Sequence, residues 1–188
     1  MSATTVTPTG YVAGTWKADL THSDVSITAR HFMVSKVRGH FNDFAATIVT
    51  AENPLDSTVT AAIQTASIDT RNETRDNHMR SQDFLDAANY PEITFQSTGL
   101  RAAGEDYELD GNLTIHGVTH PVTLELELSG IGPDAYGGTR LGVSARTSVL
   151  RSDFDIKWNA VMETGGAVVS DKLDVRIEIE AVLEKPEA

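Results

Sequence analysis

The chain has 188 residues, a length that one all-β barrel or sandwich fills without dividing into domains. Its 27 Asp and Glu against 15 Lys and Arg give a formal charge of -12, so a nucleic-acid backbone would repel it and no nucleic-acid partner is expected. Cysteine is absent, which removes disulfides, thiolate nucleophiles and zinc–thiolate sites.

The N-terminal run MSATTVTPTG has neither a basic start nor an apolar stretch, which predicts a flexible leader over residues 1–10 rather than a secretory signal, and hence a cytoplasmic protein. No later segment reaches the roughly 20 apolar residues of a membrane helix, so no transmembrane segment is expected. Residues 11–184 read as one barrel domain and 185–188 as a tail. The first strand is expected over 11–19 and the second over 24–32, with Val25, Ile27 and Ala29 on one face. Val37, Gly39 and Phe41, then Phe44, Ala46 and Ile48, continue the alternation, with a slip of phase at Asn42 and Asp43 that predicts a bulge or bend. Asn53 and Pro54 make a turn, after which Val59, Ala61 and Ile63 form the apolar side of another strand.

Residues 67–95 break the pattern. They are dense in Asp, Asn and Arg, and the spacing predicts a helical insert, about residues 74–90, with a short helix over 82–88 capped by the Ser81 hydroxyl and complemented by Asp83. Pro91 then turns the chain extended. Such a short helix needs an apolar surface to lie on, so Phe84 and Leu85 are expected to turn inward and close one end of the barrel. Beyond it come strands around Ile93 and Phe95, then Tyr107 to Ile115. Val122, Leu124, Leu126 and Leu128 alternate with Thr123, Glu125 and Glu127, and Leu141, Val143 and Ala145 open the next strand. The last alternates Leu173, Val175, Ile177 and Ile179 with Asp174, Arg176, Glu178 and Glu180. About eight strands joined by tight turns predict an all-β, antiparallel, closed barrel, the size that either fills with side chains or holds one small ligand. The apolar phase predicts that Ile27, Phe44, Ile63, Phe95, Leu113, Leu126, Val143 and Ile177 face the interior.

Candidate chemistry is sparse. His22 and Ser23 are adjacent on extended chain and point to opposite faces, so they cannot share a proton. His116 and His120 flank a hairpin turn with no third ligand nearby, and no metal is expected. Asp69, Asp76, His78, Asp83 and Asp86 cluster in the insert and could supply acid–base chemistry, although charges there equally suit a solvated loop, and no catalytic residue is assigned.

The blocks that carry a resemblance run in order along nearly the whole chain. They include D-x-x-H-S-x-V-x-I-x-x-x-H over 19–31, then Val37-Arg38-Gly39, then Ser67-Ile68-Asp69-Thr70. Arg75-Asp76-x-His78-Met79-Arg80-Ser81-x-Asp83-Phe84 and Tyr90-Pro91 follow, and Gly111-x-Leu113-Thr114-Ile115-x-Gly117 and Arg151-x-Asp153-Phe154 complete the set. This pattern resembles the YceI-like family of lipocalin-like polyisoprenoid-binding proteins. The resemblance implies an eight-stranded barrel, frequently a homodimer, whose apolar interior encloses an isoprenoid quinone, prenyl alcohol or other long-chain amphiphile for storage or transport, with no other cofactor. On that reading Phe84 joins the eight strand residues as apolar lining, and Arg75, Asp76, His78 and Arg80 stand at a polar mouth for the head group. An enzyme acting on such a lipid through the insert, or a filled barrel serving as a stress-related interaction module, are the alternatives.

Overall fold

The computed structural model describes residues 7–160 and 168–185; residues 1–6 of the expected leader and 186–188 of the expected tail lie outside it. In chain order the elements are β1 (Gly14–Ala18), β2 (Asp24–His31), β3 (Ser35–Phe41), β4 (Phe44–Thr50), β5 (Thr58–Gln64), β6 (Ile68–Asp69) and α1 (Glu73–Arg80). Then follow β7 (Glu92–Ala103), β8 (Asp106–Ile115), β9 (Val118–Pro133), β10 (Thr139–Leu150) and β11 (Lys172–Leu183).

All the pairings are antiparallel, and β1 closes on β11. The eleven segments make eight staves, because three staves are bent. β2 and β1 lie one after the other along the same side of β11, against Asp174 to Glu178 and Ala181 to Leu183. β3 pairs with β2 and β6 while β4 pairs with β1 and β5, so β3/β4 and β5/β6 are single staves that bend together. Sequence neighbours are then always sheet neighbours, the up-and-down barrel that leaves no open edge around the ring. The bend at Asn42 and Asp43 is where the phase slip predicts it, and it keeps both Phe41 and Phe44 buried.

The helix is displaced from its expected place. It spans Glu73–Arg80, and Asn72 is its N-cap, accepting from Arg75 N–H at 2.9 Å. Ser81 ends it: the Ser81 N–H and hydroxyl both donate to His78 O. The hydroxyl also accepts from Asp83 N–H at 3.3 Å, but only turns follow, and Asp86 at φ 46° departs from helical geometry. Charge favours the observed placement, with Glu73 and Asp76 in the first turn and His78 and Arg80 in the last, matching the helix dipole at both ends.

Trp16 is fully buried where β1 joins β4, and its indole N–H donates to Thr50 Oγ1, which donates in turn to Val12 O. Gly111 has a steric reason: a Cβ there would stand 2.3 Å from the Phe95 ring, so the ring is seated on the glycine across the β7–β8 pair.

Outside the barrel, Arg140 ties β10 to Asp19, Glu180 and Asp134. The Arg140 guanidinium, then His22, hold the Asp19 carboxyl well below its ordinary 3.8. The Gly138 and Tyr136 N–H groups lower Asp134, the Arg71 N–H lowers Asp69, and Lys157 lowers Asp155. Carboxyls depressed by folding contribute stability above 3.8 and lose it as the pH falls through their folded values. The melting temperature is therefore expected to fall on acidification below 3.8, and Arg140→Met, followed by calorimetry, to lower it at neutral pH while flattening that acid decline. An unchanged acid limb in the variant would count against this pairing.

Candidate functional site

The barrel encloses a cavity of about 220 Å³. All eight strand residues predicted to face inward line it: Ile27, Phe44, Ile63, Phe95, Leu113, Leu126, Val143 and Ile177. Their register explains the common wall, since Ala61 lies opposite Phe95, Phe95 opposite Leu113, and Ala145 between Leu126 and Ile177. Room is left where the wall carries small side chains, notably the cross-strand pair Ala46 and Ala61. Among the described residues no charged side chain lines the cavity, and the polar groups on it are the hydroxyls of Tyr11, Thr50, Ser57, Tyr107 and Thr147. The interior is therefore not filled, and its volume exceeds the roughly 150 Å³ at which a dry apolar cavity already takes up a benzene-sized guest.

The two ends differ. At one, Pro8, Tyr11, Pro54 and Ser57 line the cavity, with the Tyr11 hydroxyl donating to Ala51 O at 2.8 Å and lying 3.1 Å from Ser57 Oγ. Sequence reasoning missed this set, because Pro8 falls in the leader, Tyr11 in the expected first strand and Pro54 in a turn, and nothing in their spacing shows that they meet at a barrel mouth.

The insert stands at the other end. It leads into β7 where Thr65 N–H and Oγ1 hold Pro91 O and Tyr90 O, and the Tyr90 ring packs on His116 in the β8–β9 turn. Phe84 and Leu85 are buried there, in the apolar cluster that includes Phe44 and Ile93. The Phe84 ring lies 4.9 Å from His78 and 5.1 Å from Trp158. Phe84 is thus packed into the closing layer and is not on the cavity wall. Arg151, itself buried, positions that layer by donating to the carbonyls of Ile156, Trp158 and Ser170; its burial lowers its pKa, against the pull of Asp171.

The four residues expected at a polar mouth are also placed elsewhere than on the cavity. Arg75 donates to Thr70 Oγ1 and O, and Arg80 to the carbonyls of Ala66 and Ile68 and to Asn77. Buried Asp76 accepts from Thr70 N–H and hydroxyl at 2.7 and 2.6 Å, and His78 pairs with Asp83 at 2.7 Å. These polar atoms frame the insert. Asp69 accepts from Asn42 and Arg71 and Asp86 from Asn89, so the acid–base candidates Asp69, Asp76, His78, Asp83 and Asp86 are divided among separate structural contacts, none of them lining the cavity. His116 and His120 are likewise apart in role: His120 meets Asp153 O at 2.8 Å, while His116 Nδ1 is buried with no hydrogen-bond partner among the described residues.

Residues 16–181 match the model of the YceI-like domain. The chain belongs to the YceI family. Protein YceI of Escherichia coli O17:K52:H18 is 40% identical over 177 residues, 93% of this chain and 90% of that protein. The Campylobacter jejuni YCEI protein, 31% identical, superposes with a TM-score of 0.72 over 83% of this chain and 90% of its own. A polyisoprenoid binding domain from Saccharophagus degradans shares the fold at 17% identity, with a TM-score of 0.68 over 92% of this chain and 100% of that domain. The closed antiparallel eight-stave barrel is thus the YceI fold, and in this YceI chain the cavity is the feature that the fold encloses.

Proposed function

We propose that this YceI barrel binds a long-chain isoprenoid or similar amphiphilic lipid, holding the apolar chain in its interior for storage or transport and leaving it chemically unchanged. The observation that carries the reading is the cavity wall, which among the described residues is apolar except for five hydroxyls and carries no charged side chain. The name of the Saccharophagus domain supports the same ligand class. Burial of about 0.8 kcal/mol per methylene over roughly ten methylenes gives about 8 kcal/mol, which meets association costs of about 4 to 15 kcal/mol only when the chain is long.

The distribution of polar groups supports a head group at the Tyr11–Ser57 end. Arg75 and Arg80 are engaged with backbone carbonyls, whereas the Tyr11 and Ser57 hydroxyls lie on the cavity at its other end. A neutral quinone or alcohol head suits that hydroxyl pair better than a phosphate, whose charge would need a cation to leave water. Native purification followed by solvent extraction and mass spectrometry tests the reading, with a prenyl quinone and a prenyl phosphate of equal length offered to the stripped protein. An unchanged prenyl lipid and preferential uptake of the quinone are expected. An empty interior in repeated preparations with no uptake of either would overturn the reading, and a converted lipid would favour an enzyme.

A further inference from the structure

The turn joining β2 to β3 carries Phe32, Met33 and Val34 in succession, exposed by 43%, 56% and 85%. Other exposed large apolar side chains among the described residues stand singly along the chain, which is ordinary for a protein surface. Three together at a hairpin tip are not. The backbone there is also costly for such side chains. Val34 N–H donates to His31 O at 3.1 Å, and the two central residues, Phe32 and Met33, have φ of 49° and 58°. Asn-Gly fills such a turn readily, whereas bulky side chains at positive φ are strained. Both the exposure and the strain run against stability, and strain of this kind collects where a surface has a task.

Charge gives the task its chemistry. Arg30 and Lys36 are cross-strand partners just below the tip, with Arg38 next along β3. None of the three forms an ion pair among the described residues. On the outer face behind them a polar groove continues with Arg146 and Arg176, alongside Asp24, Glu125 and Asp174. In a chain of net charge -12, three neighbouring cations beneath an apolar tip form a local exception. An apolar wedge with a cationic collar complements an anionic lipid surface, where apolar insertion and attraction to phosphates act together. The overall negative charge opposes this only weakly, since charges more than about 8 Å from the surface are screened at physiological ionic strength.

We propose that the β2–β3 hairpin docks this protein on an anionic bilayer, with Phe32, Met33 and Val34 entering the interface and Arg30, Lys36 and Arg38 against lipid phosphates. The proposal rests on the lipid-carrier reading, because a carrier of an apolar chain has to exchange it with a membrane. The hairpin stands at the barrel end where the insert lies, opposite the Tyr11–Ser57 mouth, so docking would leave that mouth facing water and the lipid would pass through the insert end.

Co-sedimentation of the full chain with phosphatidylcholine vesicles, with and without phosphatidylglycerol, tests it. Binding is expected only to the anionic vesicles and to weaken with salt. Lys36→Gln and Arg38→Gln should each reduce it about fivefold, which corresponds to about 1 kcal/mol per cation. The decisive variant is Phe32→Asn with Met33→Gly: vesicle binding should fall at least tenfold while the melting temperature stays level or rises, since the new residues fit the turn. Wild-type protein that ignores anionic vesicles, or a turn variant that binds as tightly, overturns the proposal. So does a turn variant that melts markedly lower, or one that loses only self-association, which would assign the tip to the fold or to a second copy. Lipid that still co-purifies while vesicle binding is absent sinks docking alone; intact vesicle binding with an empty barrel sinks the carrier reading alone.

Discussion

Leu126→Asp is expected to cost at least about 3 kcal/mol of stability and to abolish lipid uptake. Leu126 lies on β9 between Tyr107 of β8 and Ala145 of β10, with its side chain on the cavity wall. The change removes an apolar side chain worth about 1.5 to 3 kcal/mol on burial. It also puts a carboxyl where the wall offers no cation, and an unpaired polar group adds about 1 to 3 kcal/mol more. Against a total stability of about 5 to 15 kcal/mol, that is a large share. Burial would raise the pKa of the introduced carboxyl, so the variant should regain stability as the pH falls through that raised value and the group becomes neutral. Glu127→Ala, one residue along and exposed, should change stability by less than about 0.5 kcal/mol. Thermal unfolding and lipid content of the two variants make the comparison; a Leu126→Asp protein with normal melting and normal lipid would mean that the phase of β9 is wrong.

Phe84→Ala is expected to cost about 3 to 5 kcal/mol, the range for truncating a buried phenylalanine. The reason is its place: 7% exposed, in the main apolar cluster, with its ring against those of His78 and Trp158. Loss of that ring should loosen the insert from the barrel end as well, speeding release of a fluorescent prenyl analogue. A loss below about 1 kcal/mol would show an insert energetically separate from the barrel. Unchanged release together with a lowered melting temperature would send the lipid out past Tyr11 and Pro54 instead.

The Phe84 case shows where reading a sequence stops. The amphiphilic insert and its inward Phe84 and Leu85 were legible from composition, but the helix begins about two and a half turns earlier, at Glu73–Arg80. A serine hydroxyl can bond forward as an N-cap or back to a carbonyl, and Ser81 does both while ending the helix rather than starting it. Local chemistry allowed either outcome; burial of the segment after Ser81 selected one.

The residues lining the cavity stand at the opposite extreme. In a strand successive side chains point to opposite faces, so once alternation identifies the dry phase the inward residues follow without knowledge of which strand pairs with which. That is why eight residues on separate strands, from Ile27 to Ile177, all reach the same cavity. The ordered blocks from Asp19 to Phe154 likewise pointed to the YceI family from sequence alone. The partners of Arg75, Asp76, His78 and Arg80 had no such signature. A charge in a sequence states only that it needs water or a counterpart, and the counterparts here, the Thr70 backbone and the carbonyls of Ala66 and Ile68, are brought into reach by the chain's path around the barrel end. Side-chain phase is a property of the strand itself, so the sequence determined it; which groups meet across loops depends on the closed barrel, and only the tertiary structure decided that.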